Sequence, residues 1–256
     1  MRILNRPYWN LFWEMTRTGF KLRDQGTFLG FFWTLLHPAI MFVILHQLFT
    51  KWVGKFVSDY PFYLLIGIVQ WNFFSGATSN ALTCFERKAT LVKNFNFPKE
   101  IAVLSSVAVV FMSYILEVAI LMLFLLVMTH DLSWSWAYFP FLIAAQTLWI
   151  LGLSFFLAVL GAEYRDMSRI WTILMNAGFF MVPIFYPLNL IAERKRSWLL
   201  LNPFVHIMDG SRDCLLRAKW PPLSSGLFLI LTGLVLTWYG IRWFRAREKS
   251  IVEFVL

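Results

Sequence analysis

The chain has 256 residues and a net charge of +9, with 59% hydrophobic, 19% aromatic and only 14% charged residues. Soluble domains are charged at about a quarter of their positions, so this composition and a mean hydropathy of +0.64 exclude a water-soluble globular domain. The cations cluster in short connections between apolar runs, the arrangement that orients a chain in a membrane, and the basic balance is read as topology rather than as nucleic-acid binding.

The first 24 residues hold no uninterrupted apolar core ahead of their charges, so they are not read as a cleavable signal peptide. Pro7 suits a first helical position. Trp9, Phe12, Trp13, Thr16 and Phe20 share one helical face, and Asn10, Glu14, Arg17 and Lys21 the opposite one. This predicts an amphipathic interfacial helix over 7–23, serving as an anchor or as a surface on which a cytoplasmic partner pushes.

Six apolar runs follow, each near the ~20 residues that cross a bilayer as a helix. The predicted spans cover about 28–49, 62–85, 101–128, 138–162, 170–187 and 221–241. They must be helices, because lipid offers no partner to exposed backbone groups. The predicted class is therefore an all-α integral membrane protein forming one transmembrane domain over 1–256. With six spans, fifteen of the 23 Lys and Arg fall on one side of the membrane, including both termini and the 86–100 connection. That side is expected to be cytoplasmic.

Between spans two and three lies "ERKATLVKNFNFPKEI", which mixes cations with exposed apolar residues. A short helix over 86–97 would present Leu91, Val92, Phe95 and Phe97, keep Arg87, Lys88 and Lys93 solvated or paired with acids, and end at Pro98. Such a segment is either an orienting loop or a docking helix, and its apolar residues favour docking. In span three, Glu117 is the single Asp, Glu, Lys or Arg inside a predicted span. It is a functional candidate, or a structural acid hydrogen-bonded by Ser113 and Tyr114 one turn before it.

The 187–219 connection places six cations on the outer face, against the orientation rule. Its apolar run, 197–208, is 12 residues long and contains Pro203, too short to span. Pro183, Pro187 and Pro203 suggest a re-entrant hairpin with Glu193, Arg194, Lys195 and Arg196 at its tip; the alternative is a helix lying on the membrane surface.

Motifs for self-contained chemistry are absent: there is no Walker loop, no H-E-x-x-H and no G-x-S-x-G. The four His are scattered, no metal site is expected, and Cys84 and Cys214 are expected on opposite membrane faces, too far apart to pair.

"RDQGTFLGFFWTLLHP", "YPFYLLIGIVQWNFF", "LVKNFNFPKE", "YRDMSRI" and "LLLNPF" occur in this order along the chain. Together they resemble the permease subunit of type-2 ABC exporters of the polysaccharide group, which exports O antigen, capsule or teichoic acid. The resemblance implies a homodimer in the inner or plasma membrane, bound to two copies of a separate ATPase and moving a lipid-linked glycan outward. It further implies that 86–99 is the coupling helix and that ATP and Mg are bound by the partner ATPase, with no cofactor on this chain. A glycan path needs aromatics for sugar faces and amides for hydroxyls. The candidates are Tyr63, Gln70, Trp71, Asn72 and Phe74 in span two and Trp171, Asn176 and Tyr186 in span five, although any one aromatic can instead pack or face lipid. The outer hairpin is expected to be the exit gate. The competing readings are a type-2 permease for a drug or lipid, and an ATPase-independent channel or membrane enzyme.

Overall fold

The computed structural model describes residues 6–23, 32–57, 59–129 and 133–255, which contain helices and no strand. The α-helices among them are α1 Arg6–Arg23, α2 Phe32–Val53, α3 Tyr60–Leu82, α4 Cys84–Arg87, α5 Ala89–Asn94, α6 Glu100–Thr129, α7 Phe139–Glu163, α8 Met167–Met181, α9 Glu193–Leu199, α10 Pro203–Leu215 and α11 Leu223–Val255. The described stretches Glu100–Met128, Trp134–Glu163 and Leu223–Glu248 are each long and apolar enough to cross a ~30 Å hydrocarbon core. The start of the first expected span, 28–31, lies outside the described residues.

Expectation and structure differ most at the fifth span. α8 has 15 residues and stops at Met181, so 170–187 is not one helix. Pro183 cannot donate to a helical ladder and pushes the residue before it out of the α region; Val182 is accordingly extended, with φ −86° and ψ 144°. The sixth span is longer than expected. α11 continues to Val255, and its 33 residues make a rod about 50 Å long, well beyond the hydrocarbon core.

α3 sits at the centre, touching α2, α6, α7, α8 and α10. Gln70 ties four helices together at mid-height: its Nε2 donates to Ser211 Oγ of α10 (3.0 Å), its Oε1 accepts from Tyr114 Oη of α6 (2.9 Å), and its backbone carbonyl accepts from Gln146 Nε2 of α7 (2.9 Å). Interhelical hydrogen bonds of this kind hold apolar helices where lipid removes the hydrophobic drive for them to associate.

α1 runs alongside α6 in the same direction. Ser105 Oγ meets Met15 Sδ, a Cβ on Gly19 would meet Val109, and Arg23 Nη1 donates to Ser113 Oγ (2.7 Å), so contacts recur every four residues on both helices. The stripe packed against the bundle is Tyr8, Leu11, Phe12 and Met15, while Trp9 and Trp13 of the expected interfacial face flank it half-exposed.

α7 and α11 form the most extensive helix pair, brought close by glycines. A Cβ on Gly240 would lie 2.5 Å from Gly152 O, whereas one on Gly76 would meet only Val110 Cγ1 at 3.4 Å. Gly240→Val is expected to destabilise the protein by ~2–3 kcal/mol through overpacking, and Gly76→Ala to leave it nearly unchanged. Thermal inactivation in detergent separates the two variants.

Candidate functional site

Two features lie next to each other at one end of the bundle. The first is built by α4 and α5. The single docking helix expected over 86–97 is two short helices broken at Lys88, followed by an extended stretch over 95–98. Their residues divide by exposure. Leu91 and Phe95 are 40% and 62% exposed, and Arg87 and Lys93 also face outward. Val92 and Phe97 are buried, so these two belong to the packing beneath the platform and not to its free face. Pro98 follows the extended stretch and precedes α6.

Lys88 also departs from expectation. Its Nζ donates to Ala102 O (2.9 Å), Ser105 Oγ (2.6 Å) and Ser106 Oγ (2.9 Å), pinning the platform to the first turns of α6. Burial pushes the Lys88 ammonium down to about 8. Because that lies below its unfolded value, charging it opposes the fold at neutral pH, and the penalty fades as pH rises above about 8.

The protruding end of α11 braces the platform from the side. Phe244 is fully buried against Phe85 of α4 (6.1 Å between rings) and Phe155 of α7 (5.4 Å). Arg245 Nε pairs with Glu100 Oε1 and Arg247 Nη1 with Glu163 Oε1, each at 2.9 Å. The sequence marked these cations only as an orienting tail.

The second feature is a cleft of about 700 Å³ between α2, α3, α6 and α8. Asn72, Ser75, Gly76, Ser79 and Asn80 line it from α3 and Thr83 from just beyond its end, at the 3–4 residue spacing of one helical stripe. Facing them are His37 of α2, Ser113 and Glu117 of α6, and Ser168 and Thr172 of α8, with Arg23 and Arg87 also on the wall. Ser113 and Tyr114 do not serve Glu117 as expected: Ser113 accepts from Arg23, and Tyr114 donates to Gln70. The buried Oε2 of Glu117 has no hydrogen bond among the described residues. A wall of amides and hydroxyls with Arg23, Arg87 and Glu117 beside it suits a hydroxyl-rich solute better than a hydrocarbon.

The expected path residues separate accordingly. Asn72 lines the cleft. Gln70 and Tyr63 are buried in hydrogen-bond networks and line no part of it. Trp71 is buried against Phe74, Phe179 and Phe204, and Phe74 also packs on Phe204. Trp171 Nε1 donates to Thr78 Oγ1 (3.1 Å), Tyr186 Oη donates to Met181 O (2.9 Å), and Asn176 is exposed.

At the opposite end, the connection over 187–219 folds back as α9 and α10. Glu193, Arg194, Lys195 and Arg196 form the first part of α9 instead of a loop tip; the turn lies at 200–202. Pro203 starts α10 behind an Asn202 cap, whose Oδ1 accepts from Phe204 N–H (3.0 Å). Sequence reasoning missed Arg212 of α10, which is 1% exposed. Its Nη1 donates to Tyr63 Oη (2.7 Å) and Pro183 O (2.8 Å), its Nη2 to Ile184 O (2.7 Å), and its guanidinium lies 3.5 Å from the Tyr63 ring centroid. The one signal available was the pair Pro183 and Pro187, which implies free carbonyls needing donors.

Residues 10–216, four-fifths of the chain, match the ABC-2 type transporter family. The chain belongs to that family. Among curated relatives, this ABC-2 family member is 26% identical over 248 residues to the O-antigen export system permease protein RfbA of Myxococcus xanthus, covering 96% of this chain and 95% of that protein. It is 26% identical over 244 residues to the protein of the same name from Klebsiella pneumoniae, covering 93% and 92%. With the polysialic acid transport protein KpsM of Escherichia coli it shares 26% over 230 residues, 88% of each. As an ABC-2 transport permease it is a multi-pass membrane protein, and its polar cleft and bracketed platform are read in that light.

Proposed function

We propose that this chain is the membrane-spanning subunit of an ATP-driven exporter that carries a lipid-linked polysaccharide from the cytoplasm to the outer side of the inner or plasma membrane. The relatives named for O-antigen export and polysialic acid transport support the class of cargo. The observation that carries it for this chain is the stripe of amides and hydroxyls on α3, opening a cleft of about 700 Å³ inside an otherwise apolar bundle. Trp33, Pro38, Phe73 and Val110 supply apolar faces beside it, and the amides and hydroxyls are the part that a drug or hydrocarbon lipid would leave unmatched.

In this reading two copies of the chain pair in the membrane and each docks one ATPase, which binds ATP and Mg. α2, α3, α6, α7, α8 with its extended continuation, and α11 are the six spans. The cation distribution supports a cytoplasmic position for both termini and the α4–α5 platform. The 187–219 segment is then an outer re-entrant hairpin gating the exit, with Arg194, Lys195 and Arg196 of α9 exposed to water and outer headgroup phosphates.

The test is purification of the tagged chain from cells that also express an ABC ATPase encoded beside it. The two proteins are expected to co-purify, and deletion of this chain's gene is expected to remove the surface polysaccharide while its lipid-linked precursor accumulates inside. Undiminished surface glycan after deletion, or transport by the purified chain without any ATPase, overturns the proposal.

A further inference from the structure

We propose that Arg212 is a latch that makes α3 the lever between the ATPase platform and the outer hairpin, so that the hairpin follows α3 rather than α8. The inference rests on the exporter reading above for the meaning of the two ends, and on the following geometry for the connection between them.

At one end α3 passes into the platform almost without interruption. One residue, Thr83, separates α3 from α4, and backbone bonds run across the junction from Thr83 N–H to Ser79 O and from Arg87 N–H to Thr83 O. Arg87 Nη1 also donates back to Asn80 Oδ1 (3.0 Å). A push on α4 therefore moves α3 as a rod. About 30 Å away along the helix, the other end of α3 holds the chain that follows α8.

That chain is not held by its own helix. Val182 N–H makes the last helical bond of α8, to Gly178 O, and the next four carbonyls all accept from elsewhere. Pro183 O and Ile184 O accept from Arg212, Phe185 O from Tyr60 Oη (3.0 Å) and Tyr186 O from Tyr63 Oη (3.1 Å). Arg212 thus clasps the extended segment with one edge of its fork and Tyr63 with the rest, while its own backbone belongs to α10 of the hairpin. Gly67 leaves room for it: a Cβ there would lie 2.8 Å from Arg212 Nη2 and 3.0 Å from Ile184 O.

Packing alone does not call for this arrangement, since an apolar side chain of similar volume fills a site without burying a charge. A fork of donors is required because these carbonyls have no helical partner and lie where water is scarce. The consequence is mechanical. Segment, hairpin and α3 form one body through the buried guanidinium, while α8 stops at Met181 and meets α3 by side-chain contacts such as Trp171 Nε1 to Thr78 Oγ1.

Arg212→Met removes the fork and keeps the bulk. Introduced into the full complex with its ATPase, it is expected to insert, assemble and hydrolyse ATP, while surface polysaccharide in the native host falls roughly tenfold, within the range of typical coupling between sites. A spin label at Leu190→Cys, on an exposed position of the outer segment, is expected to shift with nucleotide in the parent and to stop doing so in the variant. Should the Met variant fail to insert, Arg212→Lys, which keeps the charge but not the planar fork, takes its place with the same expected losses. A merely structural residue would leave the nucleotide response of the label intact in the inserted, assembled variant, whereas a latch loses it.

Wild-type export and label movement in the variant overturn the latch. The exporter reading fails separately: the parent's label then moves with nucleotide while deletion of the gene leaves surface glycan unchanged, and the latch stands on the label alone.

Discussion

Replacing Leu91 and Phe95 together with Asp is expected to abolish association with the ATPase while the chain still folds and inserts. These are the two large apolar side chains that the platform leaves exposed, at 40% and 62%. Exposed anchors of this kind contribute ~2 kcal/mol or more each at protein interfaces, and a carboxylate buried without a partner adds a further penalty. Together the two changes remove ~4 kcal/mol or more, about a thousandfold in affinity, which takes a micromolar complex to about millimolar, below what a pull-down retains. The companion variant Val92→Asp with Phe97→Asp has the opposite signature: both side chains are buried in this chain's own core, so it should lower the yield of folded permease whether or not an ATPase is present. Pull-down from solubilised membranes, with yield measured by fluorescence-detected gel filtration, separates the two. Retained ATPase binding in the first variant would remove α4–α5 as the docking site.

Filling the cleft is expected to stop transport without disturbing docking. Ser75 and Ser79 are partly exposed on its α3 wall, so Ser75→Trp with Ser79→Trp sets two indoles into the space while keeping the apolar contacts of α3 with its neighbours. Surface polysaccharide should fall by at least about tenfold, equivalent to ~1.4 kcal/mol on the limiting step, with co-purification of the ATPase unchanged. Export at the parent level would show that the solute takes another route, and attention would move to the cavity at the hairpin end lined by Asp59, Arg196 and Arg217.

The sequence by itself determined the membrane class, the helical character and the family. Composition settles the first, since so few charges cannot solvate a globular surface. The scarcity of backbone partners in lipid settles the second, and five segments in order carry the third. It also located the platform, because apolar residues among cations stand out in a short loop, and it singled out the proline-marked segment before the hairpin. Tertiary structure decided which side chains at those places are free. Val92 and Leu91 are neighbours in sequence and equally apolar, yet one is buried beneath the platform and the other projects from it, because α11 and the start of α6 cover only one side. Gln70 and Asn72 are both amides on α3, yet the first faces three other helices and the second the cleft, a difference of two residues, or just over half a helical turn. Arg212 looked like one more loop cation in the sequence. Its role exists only where a broken helix end meets α3, since a guanidinium is held by carbonyls that no local pattern brings together.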